Sequence, residues 1–142
     1  MITESIDKKE QNVVFLYTTC ADREEARKIG MAAVDERLAI CADFWAVESL
    51  YPWNGVLQEV NQYMLVLTTQ KLLGEKLALF VRGLHSYSIP MVTITETKFT
   101  DATYLDWGNR VLNDTDTLRS FEEEFEKTQG EDDDGYHPGK LK

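Results

Sequence analysis

The order of hydrophobic and polar positions along this chain names most of its elements. Val13-Val14-Phe15-Leu16-Tyr17 is a short unbroken run of β-branched and aromatic residues, as expected of a strand covered on both faces. Just after Thr18-Thr19, Asp22 can cap a helix, with Glu25 in capping-box position and Glu24 favourable to the positive end of the dipole. Ala26, Ile29, Ala33 and Val34 recur at helical spacing to about Arg37, and small Gly30, Ala32 and Ala33 let this helix lie close to a sheet. Ile40, Phe44, Trp45 and Val47 then predict a strand from Leu38 to Leu50. Pro52-Trp53-Asn54-Gly55 reads as a turn, and the chain returns through polar Gln58 to Gln62, expected to face solvent, into apolar Tyr63 to Leu67. The result is a hairpin with long arms.

Leu73, Leu77, Phe80, Val81 and Leu84 form a helical stripe that predicts a second helix over 70–84. Pro90 precedes a fourth strand, Met91 to Glu96, in which Val92 and Ile94 share a face. Thr100 or Asp101 caps a shorter helix carrying Tyr104, Leu105, Trp107 and Val111. The order β-α-β-β-α-β is that of an α+β ferredoxin-like sandwich with additional C-terminal helices. Both helices of such a unit cover one sheet face, which leaves Trp45 and Met64 on the other and calls for oligomerisation through that face or the strand edges.

Composition narrows the reading. A chain of 142 residues with 43% hydrophobic residues supports one domain, assigned to 12–112. A polar segment, 1–11, precedes it. An acidic helix over 113–128, striped by Leu118, Phe121 and Phe125, and a disordered tail over 129–142 follow. The net charge is −10, and six of these charges fall in 113–142, where ten acids meet four bases. With no basic cluster longer than Lys8-Lys9, nucleic acid and anionic membranes are unsuitable partners. No run approaches the ~20 apolar residues of a membrane helix. Two cysteines, Cys20 and Cys41, fit neither a CxxC pair nor a zinc-ligand spacing, and the expectation is a reducing, cytoplasmic location.

Catalytic motifs are missing: there is no GxSxG, GxGxxG, GxxxxGK[ST] or HExxH, and the only histidines are His85 and His137. The expectation is a protein that is not an enzyme. An acylphosphatase-like hydrolase would need a glycine-rich phosphate cradle with an arginine after the first strand, where Thr18-Thr19-Cys20-Ala21-Asp22 stands instead. Soft donors for copper exist in Cys20, Cys41, His85 and the methionines Met31, Met64 and Met91, although cysteines and methionines in apolar runs also serve as core fillers. His85-Ser86-Tyr87-Ser88-Ile89-Pro90 is the most distinctive segment: Pro90 forces Ile89 into an extended conformation, and His85 and Tyr87 project near the sheet edge.

Five motifs now stand in one order: Glu36-Arg37-Leu38-Ala39 with Cys41; Ser49-Leu50-Tyr51 with Trp53 and Gly55; Thr68-Thr69; His85-x-Tyr87-x-x-Pro90; and Tyr104-Leu105-Asp106-Trp107. Together they resemble the CutA divalent-cation tolerance family, across the whole core. The resemblance implies a tightly packed homotrimer of ferredoxin-like protomers, similar in architecture to PII signalling proteins, whose long second and third strands pair between subunits. It also implies a link to copper and other divalent metals, a proposed signalling role and no settled catalytic activity. The family's proposed copper ligands fall here on Tyr17, Leu84 and His85, so only His85 keeps its identity, with Cys20 three residues beyond Tyr17. The expected ligand cleft comprises Tyr51, Trp53, His85, Tyr87 and Pro90; His85 and Cys20 are the expected metal donors. A small ligand or metal ion, and a protein docked on the C-terminal helix, complete the expected partners.

Overall fold

The computed structural model describes residues 11–119, and the sequence-based assignments for 1–10 and 120–142 lie outside them. Four strands and three helices follow one another: β1 (Val13–Cys20), α1 (Arg23–Asp35), β2 (Cys41–Trp53), β3 (Val56–Gln70), α2 (Gly74–Leu84), β4 (Val92–Glu96) and α3 (Ala102–Asn113). The strands form one antiparallel sheet in the order β2-β3-β1-β4. This is the β-α-β-β-α-β arrangement with one helix appended, the ferredoxin-like α+β fold.

Strand alternation divides β1 between two layers. Leu16 and Cys20 point with Leu65 and Leu67 of β3 toward α1 and α2, where Ala26, Ile29, Ala33, Leu77 and Val81 close a fully buried core. Each buried leucine there contributes about 1.5–3 kcal/mol. Val13 and Phe15 point the other way and meet Ile40, Tyr104, Trp107 and Leu112. Part of the face expected to be bare is therefore covered by α3. Trp45, further along the sheet, remains 45% exposed.

Two helix boundaries differ from the sequence expectation for local reasons. Helix α1 stops at Asp35 because Arg37 turns left-handed, at φ 59°. The Arg37 guanidinium then donates to the Asp116 carbonyl at 2.7 Å, tying the chain beyond α3 to the end of α1. Residues 114–119 are not helical, and the remainder of the expected 113–128 helix lies outside the described residues. Helix α2 begins at Gly74 rather than Gln70, because Gln70 is the last residue of β3 and Lys71–Leu73 form a 3₁₀ turn.

The β2–β3 hairpin is the feature that positions the site. Its turn is Asn54-Gly55, with φ 52° and 77°, the pair of left-handed residues that suits the twist of a two-residue hairpin. Strand β1 pairs with β3 only from Tyr63 to Gln70, so residues 56–62 pair with β2 alone. The hairpin thus runs about 24 Å past the four-stranded sheet.

Candidate functional site

The loop from His85 to Met91 is fixed at the C-terminal end of β1 by one half-buried carboxylate. Asp22 caps α1, its Oδ1 accepting from Glu25 N at 2.9 Å. Glu25 turns back, and its Oε1 accepts from Ala21 N at 2.8 Å. Its other oxygen accepts from Ser86 N at 2.7 Å, so one side chain joins the ends of β1, α1 and α2. Burial alone would raise the Glu25 carboxyl, but the Ala21 and Ser86 hydrogen bonds hold it below its ordinary 4.5.

His85 is the second anchor, and its side chain is fully buried. Nε2 lies 3.0 Å from both the Thr19 carbonyl and the Thr18 hydroxyl. A carbonyl can only accept, so Nε2 carries the hydrogen. Nδ1 then accepts from Tyr87 N at 3.2 Å, and lies 3.8 Å from Glu25 Oε2. With its backbone so held, Tyr87 packs its ring against His85, centroids 5.0 Å apart, and donates its hydroxyl to Gln62 Oε1 at 2.7 Å. Burial, then the charge of Glu25, push the Tyr87 phenol upward, which keeps it a donor.

These contacts shape a cleft of about 660 Å³ between the projecting hairpin and the loop. Thr19 and Gln62 are part of its lining. Tyr51 and Trp53 from β2 face Tyr87, Ile89 and Met91 across it, and Ser49 and Gln58 add polar groups. Among the described residues, every side chain lining the cleft is uncharged.

The expected cleft residues thus separate. Tyr51, Trp53 and Tyr87 line the cleft; His85 lies behind it as the anchor of Tyr87, and Pro90 delivers the chain to β4 without lining it. Gln62, expected to face solvent, is 8% exposed because Tyr87 folds over it. The polar run from Gln58 to Gln62 gave no sign of this, since the covering residue is 25 positions away. Glu25 was read only as a capping residue; the Ser86 contact comes from the tertiary fold.

The same geometry tests the metal donors. A copper(I) site built on Cys20 and His85 needs a thiolate from one and an imidazole lone pair from the other. Cys20 is fully buried, and burial, with the charges of Glu25 and Asp22, pushes its thiol up to about 12. Both nitrogens of His85 already have protein partners. Tyr17 and Leu84 offer no soft donor. Among the described residues, no three His, Cys, Asp or Glu side chains gather as a metal set. His85 and Cys20 therefore do not fit the copper pair that the resemblance implied. Cys41, on the far sheet face, places its sulfur 3.6 Å from the Tyr104 hydroxyl.

Residues 14–111 match the sequence profile of the CutA1 divalent ion tolerance protein family. The chain belongs to the CutA family. Among its curated relatives, the divalent-cation tolerance protein CutA of Pyrococcus horikoshii is 30% identical over 95 residues, which cover 67% of this chain and 93% of that protein. Human Protein CutA is also 30% identical, over 96 residues and 67% of this chain, but this match spans only 54% of the human protein; the mouse relative gives the same shares. The chain thus spans about half the length of these mammalian CutA proteins. The crystal structure of Pyrococcus horikoshii CutA1 superposes with a TM-score of 0.67 at 28% identity, covering 69% of this chain and 96% of that one. CutA from Synechococcus elongatus, at 23% identity and a TM-score of 0.70, shares the fold.

Proposed function

We propose that this member of the CutA family is a non-catalytic binding protein that works as a homotrimer, with the cleft between hairpin and loop as its ligand site. The observation that carries the reading is the projecting hairpin. An isolated two-stranded ribbon is marginal in water, yet this one presents Leu50, Val56 and Leu57 at 60–67% exposure. Apolar side chains on unpaired strands favour association with further copies. The number three follows the family resemblance, and the pairing partners are the long second and third strands.

A binding role rather than a catalytic one is supported by the state of the candidate reactive groups. The Cys20 thiol is held protonated in the core, and His85 is engaged at both nitrogens. The relatives' names connect the family to divalent-cation tolerance; in this reading no step runs through a metal at His85 and Cys20. Free thiols at Cys20 and Cys41 are in keeping with a cytoplasmic, reducing location.

Charge placed on the hairpin tests the proposal. Leu50→Asp with Leu57→Asp adds two carboxylates per protomer where the core is not touched. Sedimentation velocity is expected to show the wild-type assembly dissociating to single folded chains in the double variant. An unchanged sedimentation coefficient would reject association through the hairpin.

A further inference from the structure

The cleft has a chemical character that narrows what it can hold. Its lining has no carboxylate, guanidinium, ammonium or imidazole among the described residues, so an ion entering it would lose hydration without a counter-charge. Its volume is that of a small-molecule site rather than of an ion. Tyr51 and Trp53, 40% and 51% exposed, offer aromatic faces on one wall, while Ile89 and Met91 close the other with apolar groups.

Gln62 supplies the second, independent observation. It is 92% removed from solvent, and its Oε1 is taken by the Tyr87 hydroxyl. Among the described residues nothing accepts from its Nε2. Among the described residues Thr69 Oγ1 is the one buried side-chain N or O atom without a partner, so the Gln62 Nε2 donors open onto the cleft and are available to an acceptor there. Its side chain lines the cleft, so an acceptor on a bound molecule can reach those donors.

We propose that the cleft takes a flat, uncharged ring compound bearing a carbonyl or ring-nitrogen acceptor, hydrogen-bonded by Gln62 Nε2 and stacked against Tyr51 and Trp53. The proposal rests on the binding-protein reading above and adds to it the class of ligand. The Glu25–His85 anchor places Tyr87, and Tyr87 orients Gln62; neither anchor touches the ligand.

The test uses the full ¹⁵N-labelled chain and two probes that share one bicyclic ring, quinolin-2-one, which is neutral, and quinoline-2-carboxylate, which is anionic. Quinolin-2-one is expected to shift the Gln62 side-chain amide and Trp53 indole signals saturably, with the carboxylate binding at least tenfold more weakly. Gln62→Glu keeps an acceptor for Tyr87 but removes both donors, and is expected to weaken quinolin-2-one at least tenfold. Trp53→Ala, at an exposed strand end, provides the same reading where the buried substitution perturbs folding. The proposal is overturned by the lack of saturable shifts at Gln62 and Trp53, by equal affinity for the two probes, or by unchanged affinity in both variants. Light scattering on the same samples separates the two readings. A single chain that binds quinolin-2-one removes the trimer and keeps the cleft, and a trimer without saturable shifts does the reverse.

Discussion

Glu25 joins the β1–α1 junction to a loop 61 residues further along the chain, and its charge is what makes the joint strong. Hydrogen bonds to a carboxylate exceed those to a neutral acceptor, so Glu25→Gln, which also aims an NH₂ group at an N–H donor, is expected to cost about 1–3 kcal/mol in chemical denaturation. The pH dependence has a definite sign. The Glu25 pKa in the folded protein lies below its ordinary 4.5, so its contribution is fully present above that value and is lost as pH falls through the lower folded value. Wild-type stability should therefore drop below about pH 4.5 more steeply than that of Glu25→Gln; parallel curves would remove Glu25 from the account. Cys20 permits a separate check. A buried thiol with its pKa near 12 is inert, so in Cys41→Ser folded protein should release no chromophore from a disulfide reagent at pH 8 until denaturant is added. At this scale the sequence pointed to Tyr51, Trp53 and Tyr87 through their motifs. It was silent on Gln62, because burial of a polar residue by a loop 25 positions away leaves no local trace.

The elements were the most legible part of the chain, since periodicity and capping are local signals. Asp22 and Asp101 both cap the helices that follow them, and Asn54-Gly55 makes the hairpin turn. What escaped were features set by neighbours: the left-handed Arg37 ending α1, and α3 crossing to the face opposite α1 and α2. The close approach of α1 to β2 was foreshadowed by its small residues, and its limit is measurable. A Cβ at Gly30 would stand 2.9 Å from the Ala42 Cβ, an atom fixed by its own strand. Gly30→Ala is therefore expected to destabilise by about 1–3 kcal/mol, against the roughly 1 kcal/mol that alanine gains in a helix. Adding Ala42→Gly should recover part of the loss in thermal unfolding. A stabilised single variant would show that α1 can lift from the sheet freely.

For the whole molecule, the protomer leaves apolar surface uncovered among its described residues. Trp45 lies on the sheet face beyond the reach of α3, and the hairpin carries Leu50, Val56 and Leu57 past the last residues of β1. The acidity of the chain is not a property of the hairpin sequence, because six of its ten net negative charges lie in 113–142. A net charge away from zero favours solubility. The molar mass of the native wild-type chain by light scattering tests the homotrimer most directly. The account predicts three times the 16.3 kDa protomer, independent of concentration over the micromolar range. A stable species of 16.3 kDa would contradict it.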